Sequence, residues 1–110
     1  MATLAHDNPV FTVLVQISTP PELQAELVAT MLETAPVFAA QPGFVSSHLH
    51  RSHDGELVVN YLQWRSQADH EACLISPDVA AGGRPFMDFL ERHGLDMDVT
   101  TYEIVQSLGA

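Results

Sequence analysis

The chain has no lysine, and its four arginines are outnumbered by fourteen aspartates and glutamates across 110 residues, for a formal net charge of −10. A surface this acidic repels phosphate backbones and anionic lipid, which excludes nucleic acid and membrane surfaces as partners. Cys73 is the one cysteine, so neither an internal disulfide nor a thiolate metal cluster can form within one chain. Its plainest role is small apolar filler near a helix end. No apolar run approaches the roughly 20 residues of a membrane span, and no basic, signal-like segment precedes the first strand. We therefore expect a soluble, cytoplasmic protein. Repeats, low-complexity tracts, internal linkers and a dinucleotide-binding glycine fingerprint are also missing, which leaves a flavin or nicotinamide without an evident seat.

What is present reads as one domain. Residues 1–9, ending in Asp7-Asn8-Pro9, have no period and are expected to be a flexible N-terminal arm, with the domain running over residues 10–110. Residues 10–17 form a nearly continuous β-branched run, as in a strand covered on both faces. Thr19 and Glu22 have capping-box spacing, with Pro20 at a first-turn position, and predict a helix start. Its apolar stripe is Leu23, Leu27, Val28, Met31, Leu32 and Ala35, and Pro36 is expected to kink or end it.

Residues 44–52 and 56–65 predict a hairpin around His53-Asp54-Gly55, with Gly55 left-handed in a three-residue loop. Ser52 would then face Glu56. That register gathers Val45, Leu49, Leu57, Val59 and Tyr61 on one face, and Phe44, Ser46, His48, His50, Val58, Asn60, Leu62 and Trp64 on the other. Ser66 and Asp69 have capping-box spacing and open a short helix to about residue 75. Ala80-Ala81-Gly82-Gly83 reads as a flexible connector. Pro85 opens another helix with Phe86, Phe89, Leu90 and His93 on one stripe, Gly94 stops it, and residues 99–107 alternate as a last strand.

The order β-α-β-β-α-β predicts an α+β, ferredoxin-like sandwich with an antiparallel sheet and helices on one side. We assign the helices to the face opposite Asn60 and Trp64. The Asn60 face would then leave Phe44, Leu62 and Trp64 bare, more apolar surface than a monomer usually exposes, so a homodimer packed through it is expected.

Asn60 is disfavoured in a central strand, and its amide, like the Trp64 indole N–H, needs a partner when buried. On the residues Gln41-Pro42-Gly43-Phe44-Val45, the hairpin through Asp54-Gly55, and Val59-Asn60-Tyr61-Leu62-Gln63-Trp64, the chain resembles the antibiotic biosynthesis monooxygenase family of small dimeric α+β barrels. The resemblance implies a dimer through the sheets and, as in polyketide-tailoring members, oxidation of a phenolic ring to a quinone by O2 with no cofactor. It also implies a strand Asn and a Trp four residues on, here Asn60 and Trp64. Some members carry an Arg beyond the short helix and a Tyr within it; Arg84 fits the first, and His70 stands where the Tyr would be.

The expected catalytic residues are thus Asn60, Trp64 and Arg84, the last holding negative charge. Phe44, His48, His50, Leu62, His70 and Phe86 are expected around a small aromatic substrate. His48 and His50 sit at i, i+2 and lack a convincing third ligand, so no metal is expected. Two other readings stay open: a dimeric domain that binds an aromatic metabolite without turning it over, and a haem-degrading monooxygenase on the same fold. For the second, His70 is the only helix ligand on offer.

Overall fold

The computed structural model describes residues 10–109, so the arm expected at residues 1–9 lies outside the described residues. The elements are β1 (Phe11–Ser18), α1 (Pro21–Ala39), β2 (Phe44–Arg51), β3 (Leu57–Trp64), α2 (Gln67–Leu74), α3 (Pro77–Gly82), α4 (Arg84–His93) and β4 (Met97–Glu103). The strands form one sheet in the order β2-β3-β1-β4, and every pairing is antiparallel. This is the ferredoxin-like α+β arrangement expected, with one added element: the presumed connector at Ala80-Ala81-Gly82-Gly83 largely belongs to α3. Ser76 caps α3 by accepting from the Val79 N–H, and Pro77 occupies its first turn.

Three local expectations are corrected. The Thr19 box does not form. Pro20 is the N-cap, no side chain caps α1, and the Thr19 hydroxyl donates to the Pro20 carbonyl instead. Pro36 does not end α1, which continues to Ala39. The N–H that Pro36 lacks would have bonded the Leu32 carbonyl, and Leu32 is 60% exposed, so water can serve that carbonyl. The buried stripe of α1 is Gln24, Leu27, Met31 and Thr34, leaving Leu32 and Ala35 outside. Gln24 holds α1 to the hairpin, its Nε2 donating to the Ser52 and Leu57 carbonyls at 3.0 and 3.1 Å.

The hairpin register also differs. Leu49 faces Asn60 and His50 faces Val59, one residue out of the expected pairing, and a bulge at Val45 restores the Phe44–Trp64 pair. The cause is the loop. Asp54 Oδ1 accepts from the Glu56 N–H and the Ser52 hydroxyl, and the Ser52 N–H donates to the Leu57 carbonyl. Glu56 is thereby drawn into a loop of residues 53–56, while Gly55 keeps the expected left-handed conformation at φ 82°.

Register decides the faces. Phe11, Val13, Val15 and Ile17 of β1 pair with Trp64, Leu62, Asn60 and Val58 of β3, so all eight look the same way. That is the helix side. Ile17 and Val58 share a core with Leu27, Met31, Phe86, Phe89 and Leu90, while Val13, Leu62 and Trp64 pack with Cys73 and Val79. The expectation of a bare Asn60 face buried by a second copy is therefore overturned: the chain's own helices cover it. The face left without a described helix carries Leu14, Val59, Tyr61 and Tyr102, with His48 and His50.

Candidate active site

Between the helix layer and the sheet lies a cavity of about 470 Å³. β3 contributes Asn60, Leu62 and Trp64 to its floor, β1 and β4 extend that floor through Val13, Val15 and Val99, and α2 supplies His70 and Cys73. The helix layer does not reach over β4, whose residues are all exposed, so Met97 and Val99 edge the cavity where it meets solvent.

The polar groups stand out against this lining. Trp64 is 1% exposed, yet among the described residues its Nε1 has no hydrogen-bond partner, and the buried Oδ1 of Asn60 has none either. Leaving a buried donor or acceptor unpaired costs about 1–3 kcal/mol, which sets them apart from ordinary packing groups. Phe44 meets the Trp64 ring edge-on at 5.5 Å. The His70 ring lies 5.8 Å from Trp64 and 5.5 Å from Phe11. Burial lowers the His70 pKa below histidine's ordinary value, with the Glu71 charge opposing it weakly. Burial raises the Cys73 thiol in the same way.

A model of the antibiotic biosynthesis monooxygenases matches residues 10–84. Tetracenomycin-F1 monooxygenase of Streptomyces glaucescens is 42% identical over 78 residues, spanning 70% of each chain. The chain belongs to this family. The fold agrees: SnoaB, a cofactor-independent oxygenase from Streptomyces nogalater, superposes with a TM-score of 0.74 over 92% of this chain and 98% of its own, at 23% identity. A Deinococcus radiodurans protein gives 0.72 over 91% and 97% at 16% identity.

Within this member of the family, the cavity brings together Asn60, Trp64, Phe44, Leu62, His70 and Phe86. Three expected residues lie elsewhere. His48 and His50 are exposed on the opposite face, moved there by the one-residue change of register. Arg84 is not part of the lining; its side chain is 67% exposed and pairs with Asp88 at 3.3 Å, one turn along α4. The i, i+4 spacing of Arg84 and Asp88 was a readable sign of this pairing. Cys73, read as filler, is a buried part of the cavity wall three residues after His70. Their i, i+3 spacing puts both on one side of α2, whereas Ile75 is 83% exposed.

Proposed function

We propose that the protein is a cofactor-independent monooxygenase that oxidises a phenolic, polyketide-like ring system to a quinone with molecular oxygen. The observation that carries this reading is a pair of buried polar atoms, Asn60 Oδ1 and Trp64 Nε1, that have no hydrogen-bond partner among the described residues and sit in a largely apolar cavity. They await a ligand that is flat, apolar and oxygenated at its edges. Residues four apart on a strand are separated by about 13 Å, so a fused-ring molecule suits the two better than a single ring does. The family, the relative that acts on tetracenomycin F1 and the oxygenase fold support the same reaction class.

In the reaction the phenol loses its proton, and the phenolate passes an electron to O2. The radical pair joins at the ring carbon as a peroxide, and loss of water leaves the quinone. One oxygen atom enters the product and the other leaves as water. The chain orients the ring and supplies dipoles. Trp64 donates its N–H to a developing oxyanion. Asn60 offers Oδ1 to a hydroxyl as it stands, or Nδ2–H to an oxyanion after a half-turn of the amide. Among the described residues, no arginine or carboxylate lines the cavity to hold a cofactor phosphate or a metal ion.

Oxygen uptake with anthrone- and naphthol-like phenols tests this directly. One O2 should be consumed per quinone formed, without added reductant and after exhaustive chelation. Activity that vanishes on chelation and returns with iron or copper would sink the mechanism.

The proposal includes a homodimer, formed through the helix-free sheet face with Leu14, Val59 and Tyr61. Sedimentation at micromolar concentration should give a dimer for the wild type and a monomer for Val59→Arg. A monomeric wild type would refute it.

A further inference from the structure

Among the described residues, none that lines the cavity carries a formal charge, and His70 and Cys73 are its only titratable side chains. A reaction that begins with loss of a phenolic proton therefore has few acceptors to choose from. Cys73 is a poor one, since burial keeps its thiol protonated. His70 is placed differently. It is held between Phe11 and Trp64 by ring contacts at 5.5 and 5.8 Å, and no hydrogen bond from its side chain to a described residue engages the imidazole. Its nitrogens are free for a ligand. The indole beside it ends in a buried N–H that also lacks a partner.

We propose that His70 is the proton acceptor of the reaction and that Trp64 Nε1–H binds the same phenolic oxygen. The inference rests on the monooxygenase reading and adds the atom-level role of each ring. The phenol O–H bond breaks and an imidazole N–H bond forms, leaving the electron pair on oxygen, where the indole donates to it. When the peroxide later collapses, the hydrogen on the oxygenated ring carbon leaves as a proton, its C–H electron pair closes the new C=O as the O–O bond breaks, and the distal oxygen takes that proton and the one returned by the imidazolium to depart as water. The catalyst ends as it began.

The surroundings suit a base rather than a permanent cation. Phe11 on β1 and Trp64 on β3 carry no charge. Among the described residues, Glu71 is the charged group that acts on the imidazole, and Asp69, the residue before His70, is taken up by Arg65 at 2.8 and 3.0 Å. With its pKa lowered by burial, His70 is neutral at neutral pH and ready to accept. Activity should rise with pH through that lowered value. A bound phenolate would stabilise the imidazolium only once the proton has moved.

The test uses 1-naphthol and the wild-type, His70→Gln and His70→Ala proteins. Under anaerobic conditions, below the free pKa of 1-naphthol, the bound phenol should show the phenolate absorption band in the wild type and not in either variant. In air, His70→Gln should lower kcat/KM by about a hundredfold and abolish the acid limb of its pH profile. Added imidazole should restore part of the rate to His70→Ala, which a packing defect would not allow. A phenolate band that persists in the variants, or that the wild type never shows, would overturn the proposal. A wild type that forms the band yet consumes no oxygen would keep His70 as proton acceptor and refute the oxygenase reading instead.

Discussion

Asn60→Ala is expected to cut turnover by about a hundredfold or more, the usual loss for one preorganised polar group at a reacting oxygen, while leaving the fold intact. Both halves of that expectation come from one observation. The Oδ1 atom is buried with no partner, so its removal forfeits no hydrogen bond and relieves a desolvation penalty. Stability should therefore hold or rise as activity falls, the trade expected of a group kept for its ligand. Asn60→Asp sharpens the test. It keeps the shape and the acceptors but removes the amide donor, so an Asp variant as inactive as the Ala variant identifies Nδ2–H as the group that matters. Trp64→Phe asks the same of the indole, keeping an aromatic ring against Phe44 while deleting the unpaired N–H. Wild-type turnover in a folded Asn60→Ala protein would return the residue to packing.

How much of this was legible in the sequence depends on the range of the interaction that decided each element. Strand period alone put Val58, Asn60, Leu62 and Trp64 on one face, and the structure keeps them there. Ser66 and Asp69, three residues apart, do cap α2, because a cap is a contact between near neighbours. The hairpin register failed because it turns on Asp54. Its carboxylate satisfies both Ser52 and Glu56, a choice that no hydrophobic pattern records. That single residue of slip carried His48 and His50 out of the expected site. The face covered by helices was misjudged for a related reason, since both faces of β3 carry apolar residues and only packing with α1 and α4 distinguishes them. Arg84 lies outside the cavity lining and pairs with Asp88, which stood in plain view four residues on.

Gly43→Ala should be the most damaging small substitution at the edge of the site, lowering stability by about 2 kcal/mol or more and turnover with it. Gly43 ends the turn after α1 with φ at 82°, a left-handed conformation that costs a non-glycine residue about 1–2 kcal/mol. A methyl group there would also fall on the Asp69 side chain. Asp69 is not free to move aside. Its carboxylate accepts from Arg65 and from the Ser66 hydroxyl, which hold its pKa below the usual carboxylate range, and its N–H donates to Ser66 as the cap of α2. The Gly43 carbonyl in turn accepts from the Arg65 N–H at 2.7 Å, so both ends of the contact are anchored. Losing the cap alone is worth about 1 kcal/mol, whereas the Arg65 ion pair adds little because that side chain is 71% exposed. The displaced element is α2, which carries His70 and Cys73, so the cavity should loosen as the melting temperature falls. The double variant Gly43→Ala/Asp69→Ala separates the causes. Removing the carboxylate relieves the clash but not the backbone strain, so the two losses should add to less than their sum. Strict additivity, or a Gly43→Ala protein that melts with the wild type, would show that the turn does not control α2.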